Sequence, residues 1–565
     1  MARPPNEVGF RWFFQVLAVL AILASLVGCT IDNVQIQHIV MADANGHPLD
    51  PTGNISCEGS EGELCKGKHL PIWFKDYREL ATAAEPNAKG KPFDAYLNEM
   101  FDAMREFHEK PDPSTQQRKQ KKKVLIFIHG GLNEQKQTVE RATKLTKLIM
   151  QEKGNEYYPI FINWDSSWFS SYYDHLFHLR QGEYVDLWHV KSLPLAPFYF
   201  AADLVRGVVQ APMVWAAELG KLEIEEGLQD VFESDVALPF GSTIEDDYKR
   251  VACELMRDAG VTQKGYCKRY SAMPGSVPSP AGQVVSIGEG DDHREFFPEM
   301  FLSGLGWTLT LPTKIISAPL IESFGENAWN TMLRRTHMLF QTEKEFAEQA
   351  TGPYRPAAGA VAIFLRRLAK EIAASGKKDD WDITLVGHSM GTIIANEMLR
   401  DFGDLPFNNI LYMGGASTIR DYEDSVFPYL KKNPNAKVYH LTLLEAAEER
   451  ERQDLTIPNT QLSIPYFDPA VRGSLLVWID DLLANPMTYL DRTLGSYANL
   501  MLAVHDTPND IRGRINIKAF SAGACASAPQ KHGEIANNFY FWRERCWKAT
   551  DQIQPDCFNK EGHVD

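Results

Sequence analysis

The chain runs to 565 residues, enough for more than one folded unit, and carries a formal net charge of −16. So acidic a protein has no basic stripe to set against phosphate, which argues against nucleic acid as a partner and discourages broad adhesion to anionic lipid. There is no G-x-x-x-x-G-K-[ST], no G-x-G-x-x-G after a strand and no H-E-x-x-H, so nucleotide and metallopeptidase chemistry find no support, and no metal or cofactor is implied.

At the amino terminus Arg3 and Arg11 flank the start of an apolar run, residues 12–27, that ends Leu26-Val27-Gly28-Cys29. The run is short for a membrane span, and its length and basic flank suit a secretory signal. Its ending resembles a bacterial lipobox. That resemblance implies removal of residues 1–28 and lipidation of Cys29, giving a bacterial cell-envelope lipoprotein anchored in a membrane by its acyl chains and facing the periplasm or the exterior. The other reading is an uncleaved anchor helix with an incidental cysteine, which also places the body outside the cytoplasm. Residues 29–120 read as an N-terminal extension: a polar linker, short strands and a helix over 93–108. The charge run at 118–123 keeps the next strand soluble.

Residues 124–128, Val-Leu-Ile-Phe-Ile, form an unbroken apolar run and hence a strand buried on both faces, followed by His129-Gly130-Gly131-Leu132-Asn133. A helical stretch and a second strand, 158–164, come next. Roughly two hundred residues then separate Trp164 from Trp381, far more than one crossover needs. This insertion, at about 166–355, contains an apolar helix over 201–219 whose few charges are Asp203, Arg206 and Glu218. Such a helix fits plain core, the wall of an acyl-chain pocket or a membrane surface. Loops are expected at 277–282 and 288–292, and a helix resumes over 328–336.

The most informative stretch comes after the insertion. Residues 383–386 read as a buried strand and 392–400 as a helix, with Gly387-His388-Ser389-Met390-Gly391 between them. A sharp strand-to-helix turn forces Ser389 into a strained backbone and leaves no room for side chains two residues to either side. Further strands are expected at 409–413, 437–443 and 514–520. Six strands separated by helical stretches predict a largely parallel sheet covered on both faces.

G-x-S-x-G in this setting resembles the nucleophile elbow of the α/β-hydrolase superfamily, in its lipase and esterase form, and H-G-G after a buried strand resembles that superfamily's oxyanion loop. The likeness covers roughly residues 121–542. It implies an α/β, doubly wound, mostly parallel sheet over residues 121–565, with a large helical cap insertion. It further implies Ser389 as nucleophile, oxyanion donors from the amide of Met390 and from Gly130, Gly131 or Leu132, and a histidine base on the loop after the last strand. His532 holds that place. His505 precedes the last strand, and His440 lies inside a strand, where it is as easily a core residue. The orienting acid belongs after strand 437–443, which nominates Glu448 or Glu445, while the superfamily's alternative place nominates Asp421. The activity implied is hydrolysis of a carboxylic ester, lipid or otherwise, through an acyl-enzyme. Acyltransferases and thioesterases share the same parts, and a catalytically silent envelope scaffold would keep the fold while its acid is displaced.

Of the eight cysteines, seven remain once Cys29 is set aside. Spacing pairs Cys57 with Cys65, Cys253 with Cys267 and Cys546 with Cys557, leaving Cys525 free. With no C-x-x-C and no paired histidines, disulfides in an oxidising space are a simpler account than zinc.

Overall fold

The computed structural model describes residues 36–55, 76–81, 92–110, 121–152, 154–180, 183–184, 195–221, 285–287, 297–341, 359–443, 448, 451, 455–457, 462–464, 473–520, 529, 531–548 and 555–559. In chain order the main elements are strands β1 (Ile39–Ala42), β2 (Pro48–Ile55) and β3 (Asp76–Glu79), helix α1 (Phe93–Glu109), β4 (Lys122–Ile128), α2 (Gln135–Gln151), β5 (Tyr157–Asn163), α3 (Trp168–Phe177) and α4 (Ala196–Lys221). There follow β6 (Val285–Ile287), α5 (Phe297–Met338), α6 (Ala360–Ala374), β7 (Trp381–His388), α7 (Gly391–Asp401), β8 (Phe407–Met413), α8 (Ile419–Lys432), β9 (Lys437–Leu443), α9 (Tyr497–Asp506) and β10 (Ile515–Phe520).

Ten of these strands make one sheet in the order β3-β2-β1-β5-β4-β7-β8-β9-β10-β6. From β1 to β6 every neighbouring pair is parallel, and only the β1-β2-β3 edge is antiparallel. All six strands expected from the apolar runs are present. The reason those runs do not alternate is visible in β4: Val124, Ile126 and Ile128 enter one core, while Leu125 and Phe127 enter the other on the opposite face. A strand with both faces covered has no solvent side to spend on polar residues. The first core is closed by α1, α6, α7, α8 and α9 and the second by α2 and the carboxy-terminal aromatics Phe539, Phe541, Trp542 and Trp547. The Cys546–Cys557 disulfide ties that aromatic cluster together, with Cα atoms 5.6 Å apart. Cys29, Cys57, Cys65, Cys253, Cys267 and Cys525 lie outside the described residues, as do residues 1–35 with the lipobox-like ending.

Two features of the insertion differ from expectation. It is not a cap alone, because β6, between the two stretches read as loops, returns to the main sheet and pairs with β10 through Lys518↔Val285 and Phe520↔Ile287. Its helices are also longer than their periodic segments, with α4 spanning Ala196–Lys221 and α5 Phe297–Met338. Within the insertion α5 is tied to α3 through Arg335, 1% exposed, which reaches Asp174 at 2.6 Å and the Ser170 and Ser171 hydroxyls at 2.9 Å, and also Asp165, just after β5, at 3.2 Å. Among the described residues, no helix is long and apolar enough to cross a membrane.

The sheet order places the site. From β4 the chain moves to β5 on one side, yet β7 sits on β4's other side and later strands continue outward from it. The loops after β4 and β7 therefore leave in opposite directions, and the crevice between them, at the carboxyl ends of the strands, is where open parallel sheets bind ligands.

Candidate active site

Between β7 and α7 the turn at Ser389 has φ 51°, a left-handed conformation that costs a non-glycine residue about 1–2 kcal/mol. It is held by backbone bonds: Ser389 N–H donates to the Met413 carbonyl at 2.9 Å, while Thr392 and Ala416 amides donate to the Ser389 carbonyl at 3.0 and 3.1 Å. Both flanking glycines are there for space. A Cβ on Gly387 would lie 3.0 Å from the Gly391 carbonyl carbon and oxygen, and one on Gly391 would lie 2.4 Å from the Ile128 carbonyl oxygen. The serine hydroxyl is 1% exposed and makes no hydrogen bond with any described residue.

The loop after β4 is laid directly on this turn. A Cβ on Gly130 would come 2.8 Å from the Ser389 Cβ, and one on Gly131 would come 2.5 Å from the Met390 Sδ. The Gly130 carbonyl is fixed by donors, His129 Nδ1 at 2.7 Å, Asn133 Nδ2 at 2.9 Å and Ser166 Oγ at 3.3 Å. A trans peptide points its N–H opposite to its C=O, so pinning that carbonyl away aims the Gly131 amide to the other side. Among the described residues, no hydrogen bond takes up the amide of Gly131 or of Met390. Leu132, by contrast, spends its amide on the Ser166 carbonyl at 2.8 Å while turning at φ 62°, and so drops out as an oxyanion donor. His129 donates from Nδ1 and accepts the Trp164 amide on Nε2 at 3.2 Å, and burial drives its pKa down to about 4. It is a neutral brace for the loop.

His532 lies against the elbow. Its ring centroid is 5.4 Å from that of His388, and its Cε1 would be 2.7 Å from a Cβ on Gly414, the residue after Met413, whose carbonyl holds the Ser389 amide. Glu448 lies beside it, with Oε1 3.8 Å from Nδ1, an ion-pair distance longer than a hydrogen bond, and is 1% exposed. Burial pulls the His532 pKa down, but the Glu448 carboxylate, with Glu451 adding to it, more than offsets this and leaves it above the ordinary histidine value. His388 is buried and goes the other way, its pKa pulled well below by burial and then by the His532 charge.

Of the two expected acids, Glu448 is brought beside His532, while Glu445 lies outside the described residues. Asp421 is excluded by its partners: it sits in the first turn of α8, accepting from Asn396 at 2.6 Å and from Arg400 at 2.5 Å. His440 is a core residue bonded to the Tyr422 hydroxyl at 3.2 Å, and His505 sits half-exposed beside Asp506. Glu451 was not foreseen in its actual role. Its Oε2 accepts the His532 backbone amide at 2.8 Å and so holds the loop that carries the base. Gly414 was missed too, although a Gly-Gly pair immediately after a strand is a sequence signal for close approach at that strand's end.

No family model, no curated protein and no solved structure matches the chain. The reading of the site therefore rests on its own geometry. Asp43, His47 and Glu79 could jointly face a metal ion, but they lie at the β1–β2–β3 edge, where the Asp43 carboxylate is already taken by the Asn45 and His47 amides at 2.8 Å. A polar cleft of about 500 Å³, lined by Lys378, Trp381, Asn408 and Lys437 among others, opens where the strands begin, the opposite end from Ser389. It contains none of the residues just described.

Proposed function

We propose that the protein is a serine hydrolase of the α/β-hydrolase type that cleaves carboxylic esters through an acyl-enzyme on Ser389. The observation that carries this is a concentration of unpaired polarity. Ser389 Oγ, both ring nitrogens of His532 and both carboxylate oxygens of Glu448 are buried without a hydrogen-bond partner among the described residues. Each such atom costs about 1–3 kcal/mol when left unmade, so several in one place on a purely structural protein would be a large loss without return. In a productive complex these atoms would partner one another, the Ser389 hydroxyl donating to His532 Nε2 and His532 Nδ1–H to the Glu448 carboxylate.

His532 takes the Ser389 proton on Nε2 as Oγ attacks the ester carbonyl carbon, and Glu448 stabilises the imidazolium from the Nδ1 side. Negative charge moves onto the carbonyl oxygen, where the Gly131 and Met390 amides receive it. Collapse expels the alcohol with the proton from His532. Water then enters, gives its proton to His532, and its oxygen attacks the acyl carbon to release the acid and restore Ser389.

The apolar run at 12–27 with Cys29 after it supports membrane tethering through an acylated Cys29 at a bacterial cell envelope. Intact-mass analysis of the purified chain would show loss of residues 1–28 and added acyl mass, both absent from a Cys29→Ala variant.

Labelling of the full chain by a fluorophosphonate, beside Ser389→Ala and His532→Ala, tests the activity. Labelling lost in both variants is expected. A folded wild type that stays unlabelled with and without detergent would overturn the reading and leave an envelope scaffold in its place.

A further inference from the structure

Helix α4 is built inside out. On α4 the residues turned to solvent are apolar: Phe198 is 71% exposed, Val205 61%, Val208 68% and Val209 71%, and Ile316 of α5 is 67% exposed. Their spacing, seven, three and one residues apart on α4, keeps them on one side of a helix. The buried side holds the polar groups. Asp203 accepts from Tyr172 at 2.8 Å and from Asn327 of α5 at 3.0 Å, Arg206 pairs with Glu326 of α5, and Gly207 brings the two helices so close that a Cβ would sit 2.9 Å from the Pro319 carbonyl and the Ser323 Oγ. Water-soluble helices show the opposite arrangement, and an apolar stripe of this breadth on a surface marks a contact with something apolar. Asp203 and Arg206 are the only charges among residues 195–212, and both are engaged with polar partners on the inner side.

We propose that this face rests on a lipid bilayer, its exposed side chains entering the headgroup and upper acyl region while the α4–α5 polar seam stays within the protein. The occupant follows from the chain that precedes the structure. Cys29 is separated from Ile36, the first described residue, by a stretch that spans at most about 25 Å when fully extended. A body held on so short a tether sees the bilayer at a far higher effective concentration than any dissolved partner. Over residues 195–212 the one basic residue is Arg206, already paired with Glu326, so the attraction of α4 is to the apolar layer itself, which suits a chain of net charge −16. Neither helix meets the length and apolarity of a span, so the pair lies in the interface and does not cross.

The test is photocross-linking of the full-length chain in phosphatidylcholine vesicles, with p-benzoylphenylalanine placed at Phe198 or Val209 and, as a control, at Asp404, whose side chain is 92% exposed. Lipid adducts are expected at Phe198 and Val209 but not at Asp404, with yields unchanged in high salt. Introducing Val205→Glu and Val209→Glu together should cut the lipid adduct at Phe198 by about tenfold or more. Adducts to peptide, whether in residues 222–296 or in a second copy, would overturn the proposal, as would equal lipid yield at Asp404. The inference leans on the Cys29 tether for its occupant and not on the esterase reading. Acyl mass at Cys29, serine labelling and the Phe198 adduct are read separately, so failure of one is distinguishable from failure of another.

Discussion

Glu448 and His532 face one another at 3.8 Å, Oε1 to Nδ1, and both side chains are buried. The carboxylate outweighs burial and raises the histidine pKa above its ordinary value. A general base acts when neutral, so kcat/KM should rise with pH through that raised pKa. Glu448→Gln removes the charge that raises it, and the acid limb of the pH–rate profile should move to lower pH while kcat/KM falls by about 10³-fold. An acid limb that stays in place in the variant would deny Glu448 its role.

Asp421 provides the contrast. Its carboxylate serves Asn396 and Arg400 at the start of α8, not the base. Asp421→Ala should leave kcat/KM within about threefold of wild type and the pH profile unmoved, while costing about 1–3 kcal/mol in urea unfolding because the buried Asn396 amide loses its acceptor.

Gly130 and Gly131 separate by what a methyl group would strike. At Gly130 it meets the Ser389 Cβ at 2.8 Å, with the His388 carbonyl at 3.2 Å, and neither can move without disturbing the elbow. At Gly131 it meets the far end of the Met390 side chain, which can shift. Gly131→Ala should fold, keep KM within about threefold and lose roughly 10–10³ in kcat as the loop amide is displaced from the oxyanion. Gly130→Ala should lose stability as well, seen as a lower melting temperature.

The parts of this molecule that were legible in its sequence are those decided by near neighbours. An unbroken apolar run showed that β4 has two covered faces, and two glycines around Ser389 showed that a turn needed room on both sides. Order along the chain was enough to nominate His532, which the fold lays against the turn at Ser389. What was not legible depends on distant partners. Nothing local separates Asp421 from Glu448; Arg400 and Asn396 do so by claiming the former. Strand β6 is three residues long and exists because β10 offers it an edge. The apolar helix over 201–219 could equally have been core, and only its pairing with α5 shows which side is left outside.

Backbone strain at the elbow is separable from the hydroxyl. Ser389→Ala and Ser389→Gly both abolish fluorophosphonate labelling and both remove the unpaired Oγ, but only glycine adopts φ 51° without a Cβ penalty. Offset by the greater freedom of glycine in the unfolded chain, the relief should leave Ser389→Gly about 1 kcal/mol more stable than Ser389→Ala in urea unfolding. Equal stabilities would mean that the turn is relaxed in solution.

Three buried histidines weaken the fold toward acid. Burial takes His38 and His129 down to about 4 and His440 down to about 3. Unfolded, each titrates at about 6.5, so between there and about 4 the unfolded chain binds the extra protons, and stability present above pH 6.5 is lost as pH falls through that window. Asp480 opposes them: burial pushes its carboxyl up to about 7, so over the same range it takes up a proton on folding. His388, also held down by burial, acts with these three, while His532, Asp174, Asp421 and Glu451, all raised, act with Asp480. Urea unfolding at pH 7.5, 6 and 5 reads the balance of the two sets. His440→Gln retains a group able to meet the Tyr422 hydroxyl but cannot titrate, and should lower the slope by about one proton. A variant slope identical to that of wild type would show that His440 is protonated alike in both states.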